Sequence, residues 1–358
     1  MSLALQELYA LIEPVNLSLR AQALAHLDSL AKPRGSLGRL EGLAARLFCI
    51  GGGVASLRID PAVIFTVAAD HGVVAEGVTL YPQSVTRQMV RTFLDGNAAI
   101  NILSQIASAE LFVVDAGCAG GPFEDHPQLV NMRLGEGTAN IAAGPAMSKE
   151  TCERAVLAGV GIAAKASKLG YRCIGIGEMG IGNSTVSAAV SCAYLELPPE
   201  EMVGPGAGAP PAGLEHKVKV VRRALESNKN AVASRDPLVI LAALGGFEIA
   251  VMAGIILGAA QHKLPVAVDG FISTAALVAA DNLCPGVAGY CILSHASPEP
   301  GHAKMVQQLH TQPPLLDLDM RLGEGTGSAL AIVLLRTAAA IYTDMATLDG
   351  AGVIGTLS

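Results

Sequence analysis

At 358 residues the chain can bury a large core, as one big domain or as one big domain with a small companion. Hydrophobic residues make up 51% and charged residues only 15%, with 40 glycines and no tryptophan, which suits helices packed closely on a parallel sheet. The net charge is -7 and no run of five or more basic residues occurs, which argues against nucleic-acid and anionic-membrane partners, since both require a clustered positive face.

The opening stretch, MSLALQELYALIEP, lacks a charged region followed by an apolar one, so no secretory signal is expected. Residues 1–50 read as helix and loop only. AVIFTVAAD (Ala62–Asp70) is a β-branched run ending in a polar turn, and AELFVVDAG (Ala109–Gly117) repeats the pattern. Asp70–Gly72 (DHG) follows the first of these strand ends and invites a metal reading. No second histidine or carboxylate stands at ligand spacing nearby, so no metal is expected. MRLGEGT then occurs at Met132–Thr138, followed by ANIAAGPAM, in which Gly144 and Pro145 break any helix early. Glu136 in this copy reads as a solvated loop residue. An Ala-rich helix, KETCERAVLAGVGIAAKASKLG, leads into the next strand, YRCIGIG (Tyr171–Gly177).

CIGIGEMGIGNST (Cys173–Thr185) contains Gly175-x-Gly177-x-x-Gly180, the spacing of a dinucleotide-binding turn, with Glu196 further on. Alone it reads as a Rossmann dehydrogenase using NAD. Glu178 opposes that reading, because it places a carboxylate where a pyrophosphate must approach. A carboxylate suits ribose hydroxyls better. The part from Gly180 through Asn183, Ser184 and Thr185 could cradle a single phosphate with N–H and hydroxyl donors. The plainer alternative is a tight strand-to-helix turn with no ligand. VGPGAGAPP (Val203–Pro211) is a second Gly/Pro loop, containing Gly206 and followed by Lys217. That lysine is either a point charge for a phosphate or a solvated helix residue.

Leu241–Ala260 is long enough to span a bilayer, but it contains Glu248 and a glycine pair and feeds the strand-like LPVAVDG (Leu264–Gly270), so a buried helix is expected. The second MRLGEGT, Met320–Thr326, opens an uninterrupted apolar helix, Gly327–Leu348. Similarity between the two copies stops at their seven residues, so the repeat is not a duplicated domain. Unpaired N–H groups and a positive dipole at the second copy suit an anionic ligand or an ionised carboxylate.

The alternation of strands and helices predicts an α/β fold: a Rossmann-like, doubly wound parallel sheet with ligands at the carboxyl ends of its strands. The two chain ends are expected to form a smaller helical domain, 1–60 plus 327–358, beside a large α/β domain, 61–326. Seven cysteines without CxxC spacing suit free thiols in a reducing compartment, so a cytoplasmic protein is expected. Neither GxSxG nor GxxxxGK[ST] occurs, so neither a hydrolase elbow nor a P-loop is indicated.

Taken in order, several segments resemble one family over nearly the whole chain. They are KPRGSLGRLE (Lys32–Glu41), ADHGV (Ala69–Val73), NMR with GPAMS inside Asn131–Ser148, GIGEMGIGNST, the Gly/Pro loop with Lys217, VDGF (Val268–Phe271), LSH (Leu293–His295) and MRLGEGTG. The family is nicotinate-nucleotide:dimethylbenzimidazole phosphoribosyltransferase (CobT). The resemblance implies a dimeric enzyme that moves the ribose phosphate of nicotinate mononucleotide to a lower-ligand base, releasing nicotinate and making an α-ribotide for cobamide assembly. It implies Glu324 as general base, Glu178 as the acid facing the phosphoribosyl group and Lys217 as the phosphate lysine. Arg321, Leu322 and Gly323 beside the base, and Ser294 within LSH, count with the substrate-binding residues. The first MRLGEGT departs from the family pattern, so no role carries over to Glu136. A pyridinium leaving group departs without an acid, so what the reaction needs is a nucleophile, a base and stabilisation of an oxocarbenium ion. No metal or redox cofactor is implied. A non-catalytic paralogous subunit is the remaining alternative, and the presence of Glu178, Lys217 and Glu324 speaks against it.

The segment GVTLYPQSVTRQMV lines the base pocket in this family. Relatives that activate benzimidazole commonly carry Ser, Gln and Leu where this chain has Tyr81, Met89 and Met179. These residues make a tighter, less polar pocket with one hydroxyl. The pattern resembles the branch that activates phenol and p-cresol (the ArsA/ArsB type), which works as two related subunits. It implies a phenolic acceptor oriented by Tyr81, with a homodimer or a heterodimer with a paralogue as the assembly; the plainer alternative is neutral drift in a pocket that still takes 5,6-dimethylbenzimidazole.

Overall fold

Eight consecutive buried residues, Ala62–Ala69, form strand β1. A strand buried on both faces belongs in the middle of a sheet covered on both sides. The computed structural model, which describes residues 3–208 and 210–353, places it there. Five further strands follow: β2 (Ala109–Gly117), β3 (Leu129–Asn131), β4 (Cys173–Met179), β5 (Val266–Val268) and β6 (Cys291–Leu293). The sheet order is β3-β2-β1-β4-β5-β6, and every neighbouring pair is parallel. The order reverses between β1 and β4, which opens a crevice at the carboxyl ends of these two strands. The four strands expected from the sequence are present. β3, partly exposed at one sheet edge, and β6 at the other are not legible in the sequence, whereas β5, equally short, is, because the apolar run into it closes on Asp269–Gly270.

The greasy stretch Leu241–Ala260 is buried helix, broken at Gly245–Gly246 into Pro237–Leu244 and Phe247–Gln261. The second of these crosses the helix Lys149–Lys168 at backbone contact. A Cβ on Gly254 would stand 2.0 Å from Val156 O, and one on Gly159 would stand 2.0 Å from Val251 O. Gly254→Ala is therefore expected to lower Tm, by overpacking that costs about 1–3 kcal/mol and outweighs alanine's better helix propensity. A thermal melt matching the parent chain would contradict this reading of the crossing.

The helices Arg20–Ser29 and Arg39–Ile50 pack together, and the latter lies against Thr326–Asp344. His26 Nε2 lies 2.8 Å from Tyr342 O, and Leu30 bridges to Thr347. Among the described residues Thr326–Asp344 is the helix long and apolar enough to cross a membrane. Here its first turn is clamped to the sheet, with Ser328 Oγ 2.8 Å from Ile176 O and 2.9 Å from Ala267 O. All seven cysteines are free and buried.

Candidate active site

β4 delivers Glu178 and Met179 to the crevice. The structure overturns the dinucleotide reading of its glycines. Gly175 and Gly177 lie inside the strand and not in the turn after it. A Cβ on Gly177 would stand 2.1 Å from Gly325 N, and one on Gly175 would stand 2.9 Å from Ile64 Cγ1 and 3.2 Å from Ser328 Cβ. The small residues of β4 thus admit the loop and helix of the second MRLGEGT copy, and leave no approach for a pyrophosphate.

That second copy is wound tightly. Gly323, Glu324 and Gly325 have φ of +84°, +64° and +95°, so a glutamate occupies the left-handed region between two glycines, at a cost of about 1–2 kcal/mol. Four backbone bonds hold it. Glu324 N–H donates to Glu178 O at 3.1 Å, Thr66 Oγ1 donates to Glu324 O at 2.6 Å, and the N–H groups of Gly325 and Gly327 donate to Asp269 at 2.9 and 2.8 Å. The N-terminus of the helix Thr326–Asp344 therefore takes a carboxyl group of its own chain, that of Asp269.

The Glu324 side chain is 4% exposed and lines the cleft, with Oε2 lacking any hydrogen-bond partner. Burial pushes its carboxyl above the ordinary glutamate value, against a backbone bond from Ile100, and nearby Asp269 adds to the rise. Glu178 is pushed well above that value by burial, then by Asp269 and Glu248. Its Oε2 accepts from Asn183 Nδ2, the first residue of the helix Asn183–Leu195. Gly323 must lack a side chain, since a Cβ there would stand 2.3 Å from Glu178 Oε1.

Around these carboxylates lies a cavity of about 430 Å³. It gathers twelve of the fifteen residues expected from the sequence: Tyr81, Met89, Glu178, Met179, Gly180, Asn183, Ser184, Gly206, Arg321, Leu322, Gly323 and Glu324. Lys217 sits just behind the wall, 2% exposed, its Nζ donating to Gly204 O at 2.8 Å and Ser184 Oγ at 3.2 Å. Burial lowers its pKa, opposed by Glu299. The solvated alternative for Lys217 is thereby excluded. Thr185 and Ser294 do not line the cavity and are fully buried. Thr185 faces the protein interior on its helix, and the Ser294 backbone continues the sheet, its N–H donating to Val268 O at 2.9 Å.

Three polar residues at the site were given no role from the sequence, although Asp269 and His295 lie within the VDGF and LSH segments. Asp269 anchors the base loop, His295 lies 3.4 Å from Asp269 Oδ1, and Glu299 lines the cavity beside Gly206. His295 is pulled down by burial but raised on balance by Asp269. The available signals were their positions directly after short strands, and for Glu299 a carboxylate fixed between Pro298 and Pro300.

The first MRLGEGT copy plays a different part. Glu136 is exposed as expected, yet its Oε2 accepts from Gly120 N at 2.7 Å and Gly121 N at 3.2 Å, and its Oε1 pairs with Arg133. It clips the loop after β2. Both copies lay glycines over strand ends, for Gly137 packs on Asp70 as Gly323 packs on Glu178. His71 of the DHG segment lies 3.0 Å from Glu248, both fully buried. No group of three metal-ligating side chains occurs among the described residues.

A family model described as phosphoribosyltransferase matches residues 12–353. The nicotinate-nucleotide–dimethylbenzimidazole phosphoribosyltransferase of Nitratidesulfovibrio vulgaris (strain DP4) is 59% identical over 342 residues, covering 96% of each chain. The protein of that name from Solidesulfovibrio magneticus is 55% identical over 353 residues, covering 99% of each. The crystal structure of CobT from Thermus thermophilus superimposes with a TM-score of 0.88 at 44% identity, over 95% of this chain and 100% of that one. With a parallel sheet reversing at β1/β4, two buried carboxylates at that point and relatives matching end to end, the chain belongs to the nicotinate-nucleotide–dimethylbenzimidazole phosphoribosyltransferase family.

Proposed function

We propose that this chain transfers the ribose 5-phosphate of nicotinate mononucleotide to an aromatic lower-ligand base, inverting β to α. The observation that carries the reading is the pair Glu178 and Glu324, buried in one cleft and both with raised proton affinity. Glu324 accepts the acceptor's proton as its nucleophilic atom bonds to C1′. The C1′–N bond breaks with its electron pair returning to the pyridine nitrogen, so nicotinate leaves without protonation. Glu178 faces the positive charge that develops on the ribose, and that charge favours its ionised form against the burial that raises its pKa. Ser184, Gly206 and Lys217 hold the phosphate and so fix C1′ for attack.

The finer reading concerns the acceptor. Tyr81, Met89 and Met179, with Val85, form an apolar wall beside the two glutamates. Tyr81 is 47% exposed, leaving its hydroxyl free to orient another. This wall supports phenol or p-cresol as the acceptor over the bicyclic 5,6-dimethylbenzimidazole. A phenol of pKa about 10 also gains from a base whose own proton affinity is raised. Purified chain given nicotinate mononucleotide and equal phenol, p-cresol and 5,6-dimethylbenzimidazole is expected to yield mainly phenolic ribotides by mass. Dominant benzimidazole product would overturn the phenolic preference and leave the transferase reading intact.

Tyr81 and Leu322, 47% and 57% exposed on the wall of the cleft, support a dimer, with itself or with a paralogous subunit, that covers this edge. The contacts of His26, Leu30 and Leu57 with residues 342–347 support 1–60 and 327–358 as a helical domain. Seven buried free thiols support a cytoplasmic location.

A further inference from the structure

Glu299 is a buried carboxylate that the mechanism above leaves unused. It is 6% exposed and opens the helix Pro300–Gln308. Its Oε1 accepts the Gly206 N–H at 2.8 Å, and its Oε2 has no hydrogen-bond partner. The chain at Gly204 must be glycine to leave it room, since a Cβ there would stand 2.0 Å from Oε2. Lys217 reaches the same loop through Gly204 O and Ser184 Oγ.

Gly206 N–H, the Ser184 hydroxyl and the Lys217 ammonium are the donors a phosphate monoester would use, and a carboxylate already holds one of them. Lys217 and Arg321 are the cations acting on Glu299. His302 on its own helix is pushed down to about 4 by burial and carries no charge near neutrality. A phosphate dianion beside an ionised Glu299 would bring three negative charges to two cations, one of them buried, where such repulsion is little screened. A protonated Glu299 removes one of those charges and presents an O–H donor.

We propose that Glu299 takes up a proton when the nucleotide's phosphate binds, so that the site accepts phosphate and proton together. The inference rests on the phosphate reading of Lys217. Burial already raises the Glu299 carboxyl, against the Gly206 N–H, Lys217 and Arg321, so the added anion works on a group poised to protonate.

The test is calorimetric titration of nicotinate mononucleotide into the full chain, in two buffers of different ionisation enthalpy, from about pH 6 to pH 9. The parent chain is expected to take up as much as about one proton more per nucleotide than Glu299→Gln. Its Kd should weaken with pH more steeply than the variant's, by up to about tenfold per pH unit, so that Glu299→Gln binds more tightly at the alkaline end. The phosphate's own titration near pH 6 is common to both chains and cancels. Lys217→Met serves as control and is expected to weaken binding about tenfold or more at every pH. Equal proton uptake by parent and Glu299→Gln, with Lys217→Met weakened, would sink the proposal and leave the phosphate site standing. Undiminished binding by Lys217→Met would remove the phosphate reading and the proposal with it. If Glu299→Gln fails to fold, the parent alone decides. Above about pH 8, where free phosphate is fully dianionic, absence of proton uptake overturns the proposal.

Discussion

Glu324→Gln is expected to lower kcat by about 10³-fold, within the range of a lost general base, while KM for nicotinate mononucleotide stays within about twofold. The exchange keeps the shape of a side chain that is almost wholly enclosed, so the left-handed backbone and its four hydrogen bonds should persist. The pH profile supplies a second readout. A base must be ionised, and burial raises the Glu324 pKa, so activity in the parent chain is lost as pH falls through that raised value. The acid limb of kcat/KM should therefore lie above the ordinary glutamate value of 4.5, and should flatten in the glutamine variant. An unchanged kcat in Glu324→Gln would remove it from the base role.

Gly177→Ala is expected to cost about 3 kcal/mol or more in stability, together with about 10²-fold in kcat. The added carbon would stand 2.1 Å from Gly325 N and 2.3 Å from Gly325 Cα, so no side-chain rotation relieves it. The backbone of the base loop must retreat from β4. That retreat stretches the bond from Glu324 N to Glu178 O and carries the base away from the reacting carbon. Gly208→Ala serves as comparison, because a Cβ there meets nothing within 4 Å and only the backbone strain of φ +109° remains. The expected order of denaturation midpoints is parent, then Gly208→Ala, then Gly177→Ala. Equal midpoints for Gly177→Ala and the parent would mean that the loop does not rest on the strand.

The long strands were legible because a strand buried on both faces, such as Ala62–Ala69, is a continuous apolar run. β3 and β6 were not: β3 is partly exposed at the sheet edge and gives no continuous apolar run, and β6 lacks the Asp-Gly ending that marked the equally short β5. The site was legible where loops carry glycine at fixed offsets, in GIGEMGIGNST and MRLGEGT. What those glycines accommodate was not. Gly175 and Gly177 matched a nucleotide fingerprint by local spacing, while the group that demands their smallness, the loop at Gly325, is remote in sequence. The same distance hid Asp269, whose partners are the N–H groups of Gly325 and Gly327. Glu136 and Glu324 share seven identical residues and differ only in what the fold brings to them.

Glu324 is held to Thr66 across 258 positions of sequence, and it follows all six strands in chain order. On the ribosome, then, the sheet's strands are all synthesised before the segment that carries the base. A nascent chain that has finished β6 has Glu178 but not Glu324, and the face of β4 and β5 that will receive Ser328 is still uncovered. Contacts of such long range form late and slowly. Catalytic competence therefore arrives with the closing helix, and the same event that shields the sheet from aggregation completes the site.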